Sequence, residues 1–146
     1  MPDARELTAE ETRLAAAALL ELRPHLGSTD AVVERADAQR ADGYRLAASF
    51  EPDEEQAAAV AGFRIATNLA WGHHAYVDDL VTREALRGRG HADAVMALVE
   101  DEARAAGCRQ LHLDSGVGPE RADAHRFYFR HGLIIASHHF AKRLGD

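Results

Sequence analysis

The feature that most restricts the fold is a change of period at Gly90. Before it, "HHAYVDDLVT" reads as a strand ending at Thr82, with two carboxylates that are unusual in mid-strand. After it, Val95, Met96, Val99, Ala103 and Ala106 form one apolar stripe at helical spacing, while Glu100, Asp101, Glu102 and Arg104 lie largely off that stripe. Gly107 stops the helix. A half-buried strand that turns through "REALRGRGH" into an amphipathic helix needs a sheet for the helix to cover, so the chain reads as α/β.

The flanks fill in the order. Thr8 with Glu11 makes a capping-box pattern for a helix over Ala9 to Leu22, just before Pro24. A second helix is capped near Ser28 to Asp30 and stopped at Gly43. "YRLAASFE" and "QAAAVAGFRIATN" are strand-like runs separated by the turn-forming "PDEE", which predicts a hairpin. "RQLHLDS" alternates Leu111 and Leu113 against His112 and Asp114 as a half-buried strand does. Pro119 opens a short helix through His131, ended by Gly132, and "LIIASHHFAKRL" is expected as the last strand. The early strands should be antiparallel, joined by hairpins, and the later ones linked by a right-handed helical crossover. The whole chain of 146 residues has the size of one domain.

Composition narrows the function. A net charge of −7 and an aromatic content of 6% argue against a nucleic-acid surface, which needs a basic stripe. An acidic surface instead attracts cationic molecules, amines among them. No apolar run reaches the ~18 residues of a membrane span, and the acidic "MPDARELTAEE" is unlike a signal peptide. Cys108 is the lone cysteine, which fits a reducing compartment, so a cytoplasmic protein is expected. Following Gly107 at the start of a strand, it reads as structural.

The turn before the long helix carries the chemistry. The first amides of a helix lack internal partners and face outward at the positive end of its dipole, which suits an anion. Gly88 and Gly90 let backbone approach a phosphate oxygen, and Arg87 and Arg89 add positive charge. By itself this pattern is more commonly that of a bare strand-to-helix turn. It matches neither GxxxxGK[ST] nor a dinucleotide-binding GxGxxG with an acidic residue about 20 positions on.

Three motifs in register give it a meaning. Arg87, Gly90 and Ala92 match Gln/Arg-x-x-Gly-x-Gly/Ala, "DLVT" at Asp79 to Thr82 precedes them, and "RADAHRFYFRHGL" places Ala124, Tyr128, Gly132 and Leu133 at the spacing of Asn-x-x-Ala-x-x-x-Tyr-x-x-x-Gly-Phe. With the helix and strand order, these motifs, covering about Tyr76 to Leu133, resemble the Gcn5-related N-acetyltransferase (GNAT) family. The resemblance implies a single mixed, mostly antiparallel sheet flanked by helices, with splayed central strands. It also implies acetyl-coenzyme A as co-substrate, and transfer of its acetyl group to an amine without a metal. Backbone at Leu80, Val81 and Thr82 would bond the pantetheine arm. Amides of Gly88, Arg89, Gly90, His91, Ala92 and Asp93 would hold the diphosphate, assisted by Arg87 and Arg89. Asp114 and Ser115 would stand at the mouth of the cleft.

Attack by an amine needs a base, and the departing thiolate needs an acid. Tyr128 matches the family's usual acid. On the preceding strand the family's base positions correspond to Tyr76 or Asp78; Asp78 is the better base, and Asp79 is the alternative, because this strand carries a bulge in the family and a one-residue slip exchanges faces. The pair could equally bind a cationic substrate. Arg121 departs from the Asn of many relatives and is left outside the site.

Two readings compete with the enzyme. One is an acyl-coenzyme A sensor without turnover. The other is a metal site built from His112, Asp114 and His138 or His139, which no HExxH or cysteine cluster supports. No metal, nucleic acid or membrane is expected as partner. The acceptor amine stays unnamed, Trp71 beside Gly72 is either a pocket wall or an exposed turn residue, and the resemblance leaves a homodimer open.

Overall fold

The first strand is one that the sequence pattern does not announce. The computed structural model describes residues 2–146 and opens with β1 (Ala4–Glu6), three residues paired antiparallel with β2 (Arg45–Ser49). The expected first helix is shorter than its pattern. Glu11 does reach back to the Thr8 amide at 3.0 Å, but a 3-10 turn over Thr12–Ala15 intervenes before α1 (Ala16–Leu22). The next helix, α2 (Thr29–Arg40), is capped as expected, with the Ser28 hydroxyl accepting from the Ala31 amide at 3.1 Å.

The hairpin is present, as β2 and β3 (Ala59–Asn68), followed by β4 (Gly72–Thr82), α3 (His91–Ala105) and β5 (Gln110–Leu113). The five strands lie in sequence order, and β1 to β4 pair antiparallel. Alanines at 47, 48, 58, 59, 61 and 75 are fully buried in or beside these strands. Small side chains there let helices approach both faces closely, which outweighs alanine's poor strand propensity. On one face α1 and α2 cover Leu46, Ala48, Val60 and Val81. On the other, α3 lays Val95, Met96, Val99 and Ala103 across the sheet.

One irregularity breaks the β3–β4 ladder. Gly62 pairs with Asp79 and Phe63 pairs with Val77, so Asp78 is an extra residue on β4. Facing residues share a side of the sheet. Gly62 lies under the Tyr44 ring, and Arg64, paired with Tyr76, stacks its guanidinium on that ring at 5.3 Å. Tyr76 and Asp79 therefore belong to the α1/α2 face, on both sides of the bulge. Asp78 joins them, because it bonds Arg64.

The chain divides into two compact units, through His112 and from Leu113. The second holds a 3-10 turn at Pro119–Arg121 and α4 (Ala122–Arg130), which ends where Gly132 takes φ +82° and the Leu133 amide bonds Tyr128 O at 3.0 Å. The expected last strand does not form. Residues 133–144 have no regular structure, and Ile134, Ile135, Phe140 and Leu144 are exposed. A strand needs a ladder partner, and the apolar residues of this segment fall on both of its would-be faces, so neither pairing nor patterning fixes it. No helix among the described residues is long and apolar enough to cross a membrane.

The bulge leaves no room over Gly62, where a Cβ would stand 2.0 Å from the Tyr44 hydroxyl oxygen. Gly62→Ala should cost about 1–3 kcal/mol, read as a lowered urea midpoint. An unchanged midpoint would mean that the ring swings aside freely.

Candidate active site

The turn into α3 has the backbone that an anion seat requires. Thr82 ends β4, a 3-10 turn at Glu84–Leu86 buries Leu86, and Gly88 and Gly90 take φ +79° and +89°. Gly90 caps α3 without a side-chain bond, and the first intrahelical bond is Ala94 N to Gly90 O at 3.1 Å. The amides of His91, Ala92 and Asp93, in the first turn of a helix 15 residues long, have no acceptor within the helix. A Cβ on Gly88 would meet nothing within 4 Å, so this approach is clear.

The charged residues of the turn divide. Arg87 is exposed and makes no side-chain ion pair among the described residues. Arg89, expected beside it on the phosphate, is held by Glu51. The His91 side chain points into the protein, 1% exposed, with Nδ1 2.7 Å from Ser49 Oγ and Nε2 2.8 Å from Glu51 Oε2. Glu51 therefore joins the loop after β2 to the first residue of α3. Its hydrogen bond with His91 and then the Arg89 guanidinium hold its carboxyl below the usual carboxylate range.

At the bulge the two candidate bases share one face of β4. Asp78 Oδ2 accepts from Arg64 Nε at 2.8 Å, and Arg64 Nη2 also donates to Gln39 Oε1 at 2.5 Å. Asp79 Oδ1 accepts from Arg23 Nε at 3.1 Å, and its Oδ2 accepts from the Tyr44 hydroxyl at 2.7 Å. Arg23 Nη2 further donates to the Asp78 carbonyl at 3.1 Å. Burial and then the Asp79 charge push the Tyr44 phenol upward, so it stays a donor. Leu80, Val81 and Thr82 complete β4 beyond the bulge, opposite Ala61, Val60 and Ala59.

In the second unit Tyr128 lies half-buried on α4. Burial raises its phenol; the charge of Arg121 and hydrogen bonds with Ser115 and Arg121 pull the other way without cancelling the rise. Arg121, left outside the site by the sequence reading, is therefore a neighbour of the candidate acid. Asp114 lies 3.4 Å from His139.

The residues of the metal reading are otherwise engaged. His112 stacks on Trp71 with ring centroids 3.5 Å apart and bonds Gln110 at 2.7 Å. Among the described residues no group of three or more His, Cys, Asp or Glu is placed to hold an ion. Burial pushes the Cys108 thiol up, and its amide caps α3 on Ala103 O at 2.9 Å, a structural position.

A model of the acetyltransferase (GNAT) family matches residues 6–133. The chain belongs to the GNAT family. It is an acetyltransferase with acetyl-coenzyme A as co-substrate. It is 32% identical over 124 residues to the uncharacterized N-acetyltransferase YhdJ of Bacillus subtilis, covering 84% of this chain and 80% of that one. It is 36% identical over 76 residues to the aminoalkylphosphonate N-acetyltransferase of Salmonella typhimurium, covering 49% and 48%. Among solved structures, a ribosomal-protein-alanine N-acetyltransferase from Brucella melitensis shares the fold with a TM-score of 0.81 at 18% identity, covering 99% of this chain and 100% of that one. For the aminoglycoside N-acetyltransferase AAC(6')-Iy in complex with CoA the TM-score is 0.79 at 18% identity, covering 98% and 94%.

Arg23, Gln39, Tyr44, Glu51 and Arg64 bond the candidate residues and are not marked by the sequence pattern. The Glu51 link has a pH signature. A carboxyl lowered in the folded state stabilises above its unfolded value of about 4.5 and loses that contribution as pH falls through the lowered folded value. Urea midpoints of the wild type should therefore fall more steeply than those of Glu51→Gln as pH drops below about 4.5. Parallel curves would show that the link carries no stability.

Proposed function

We propose that the two units form one N-acetyltransferase domain, residues 1–146, that acetylates a primary amine by direct attack in the cytoplasm. The observation that carries this reading is the bulge, which gathers two carboxylates and Tyr76 on one face of β4, the strand that leads into the α3 cradle. An aminoalkylphosphonate and a ribosomal protein's alanine, acceptors in the names of two of the proteins above, are both acetylated on nitrogen. The single cysteine fits a reducing compartment.

Acetyl-coenzyme A supplies the acetyl group as a thioester, ready for attack by nitrogen. The first-turn amides of α3 and Arg87 form a donor set that suits its diphosphate: backbone N–H groups at the positive end of a helix, beside an exposed guanidinium. Arg89, held by Glu51, shapes the turn and adds charge behind it. Backbone along Leu80, Val81 and Thr82 would bond the pantetheine arm. Asp78 is the base: its Oδ1 accepts no hydrogen bond among the described residues and takes the proton that the attacking amine must lose. Asp79, bonded through both oxygens, holds the site's shape. Tyr128, its phenol held above the ordinary tyrosine value of 10.0, is protonated at neutral pH and protonates the departing sulfur.

The cradle is tested by Gly90→Ala. At φ +89° a Cβ costs about 1–2 kcal/mol, so the loop should shift and affinity for acetyl-coenzyme A should fall about tenfold in calorimetric titration. Unchanged affinity would remove the α3 turn from the coenzyme site.

Tyr128→Phe should lower kcat about a hundredfold or more and leave coenzyme affinity intact. Full activity would dismiss the acid role. Wild-type binding of acetyl-coenzyme A with no turnover on any amine would instead favour the sensor.

A further inference from the structure

The face that would receive the acceptor is balanced in charge. Two guanidiniums, Arg23 and Arg64, meet two carboxylates, Asp79 and Asp78, at 3.0 Å and 2.8 Å. Three of the four members are partly shielded: the carboxylate side chains are 17% and 30% exposed and Arg64 is 27% exposed, while Arg23 lies at the rim, 44% exposed. For Asp78, Asp79 and Arg64 the counter-ion is a neighbouring side chain more than it is water.

Entry of an amine disturbs that balance. An ammonium docking on Asp79 competes with Arg23 for the same oxygen, and one docking on the open Oδ1 of Asp78 shares the carboxylate charge that compensates the partly buried Arg64 guanidinium. Leaving one member of such a pair unmatched costs more than the pair contributed. An acceptor that carries an anion beside its amine solves this, because its ammonium takes the carboxylate while its anion takes the arginine. Each charge is then matched again, and the site stays neutral.

The donors for that exchange are present. Arg64 uses Nε on Asp78 and Nη2 on Gln39, and Arg23 uses Nε and Nη2 on Asp79 and the Asp78 carbonyl. Nη1 of each arginine makes no bond to any described residue. A guanidinium presents a planar fork that matches carboxylate and phosphonate oxygens. The Tyr44 ring under Arg64, at 5.3 Å, and Gln39 beside it keep that fork oriented.

From this geometry we propose that the acceptor is a small zwitterion, a primary amine with a carboxylate or phosphonate a few bonds away, and that Arg23 and Arg64 are the residues that select it. The inference rests on the reading that this face of β4 receives the acceptor.

The test compares amines matched in length: β-alanine against propylamine, and aminomethylphosphonate against ethylamine. The acidic member of each pair should have the higher kcat/KM by about ten- to a hundredfold, the scale of one charge-assisted hydrogen bond. Arg23→Gln and Arg64→Gln should each move that ratio toward one; Arg64→Lys, which keeps the charge and loses the fork, should fall between. Titration of each amine by NMR, with coenzyme A present, reads the same preference without turnover. Equal kcat/KM and equal binding within each pair, or ratios that survive both arginine substitutions, overturn the proposal and leave the acetyltransferase reading standing. Arginine-dependent binding of the zwitterions without acetylation of any amine supports the proposal and defeats the proposed catalysis. Neither binding nor turnover of any of the four amines overturns the proposal as well.

Discussion

The single extra residue at Asp78 governs everything on the α1/α2 side of the sheet. With strict alternation Asp78 and Asp79 would point to opposite faces, and one of them would lie under α3 among Phe63, Val95 and Met96. A carboxylate there would be buried without water, a cost of several kcal/mol. The bulge removes the conflict by turning Val77 to the α3 side opposite Phe63, while both carboxylates stay on the partly exposed side. Gly62 is the complementary condition. Only a residue without a Cβ lets the Tyr44 ring settle over the irregular pair and bond Asp79.

The other face depends on a polar contact as much as on its apolar stripe. His91 begins α3 fully inside the protein, where an unpartnered imidazole nitrogen would be costly. Ser49 and Glu51 answer both nitrogens, and Glu51 then reaches Arg89 in the turn itself. The start of the helix is thereby tied to the end of β2 through side chains, which lets Gly88 and Gly90 keep left-handed backbone in a turn that has no capping side chain of its own. A fixed turn loses less freedom on taking up an anion, so rigidity here would serve the proposed coenzyme seat.

What could be read from the sequence follows the range of the interactions. The long helix, its glycine-bracketed start, the hairpin and the Ser28 cap are set by neighbours within a few residues, and each is where the pattern puts it. The motifs carrying the family likeness are also local, so the family was legible. The ion pairs around the candidate bases were not, because Arg23 and Asp79 are 56 residues apart, and nothing in the stretch around Arg23 marks it as part of a site. Expecting a bulge raised the right question about Asp78 and Asp79 but offered a choice between them, since period-two reasoning cannot place two consecutive side chains on one face. β1 is too short to show a period, and its existence rests on pairing with β2. The segment 133–144 fails in the opposite way: its apolar content suggests a strand, but composition does not supply a ladder partner.

Charge works at two ranges in this protein, and the two ask different things of an acceptor. The net charge of −7 produces a field that draws in cations of any kind and weakens over about 10 Å at moderate salt. At the bulge that preference disappears, because Arg23 and Arg64 cancel Asp79 and Asp78 at contact distance. Under the proposed acceptor preference, a plain ammonium is attracted from afar and poorly matched on arrival. Selectivity then belongs to the near range, where the arrangement of opposite charges a few ångströms apart counts for more than their sum. A chain can be strongly acidic overall and still set two arginines against the carboxylates of its proposed acceptor face.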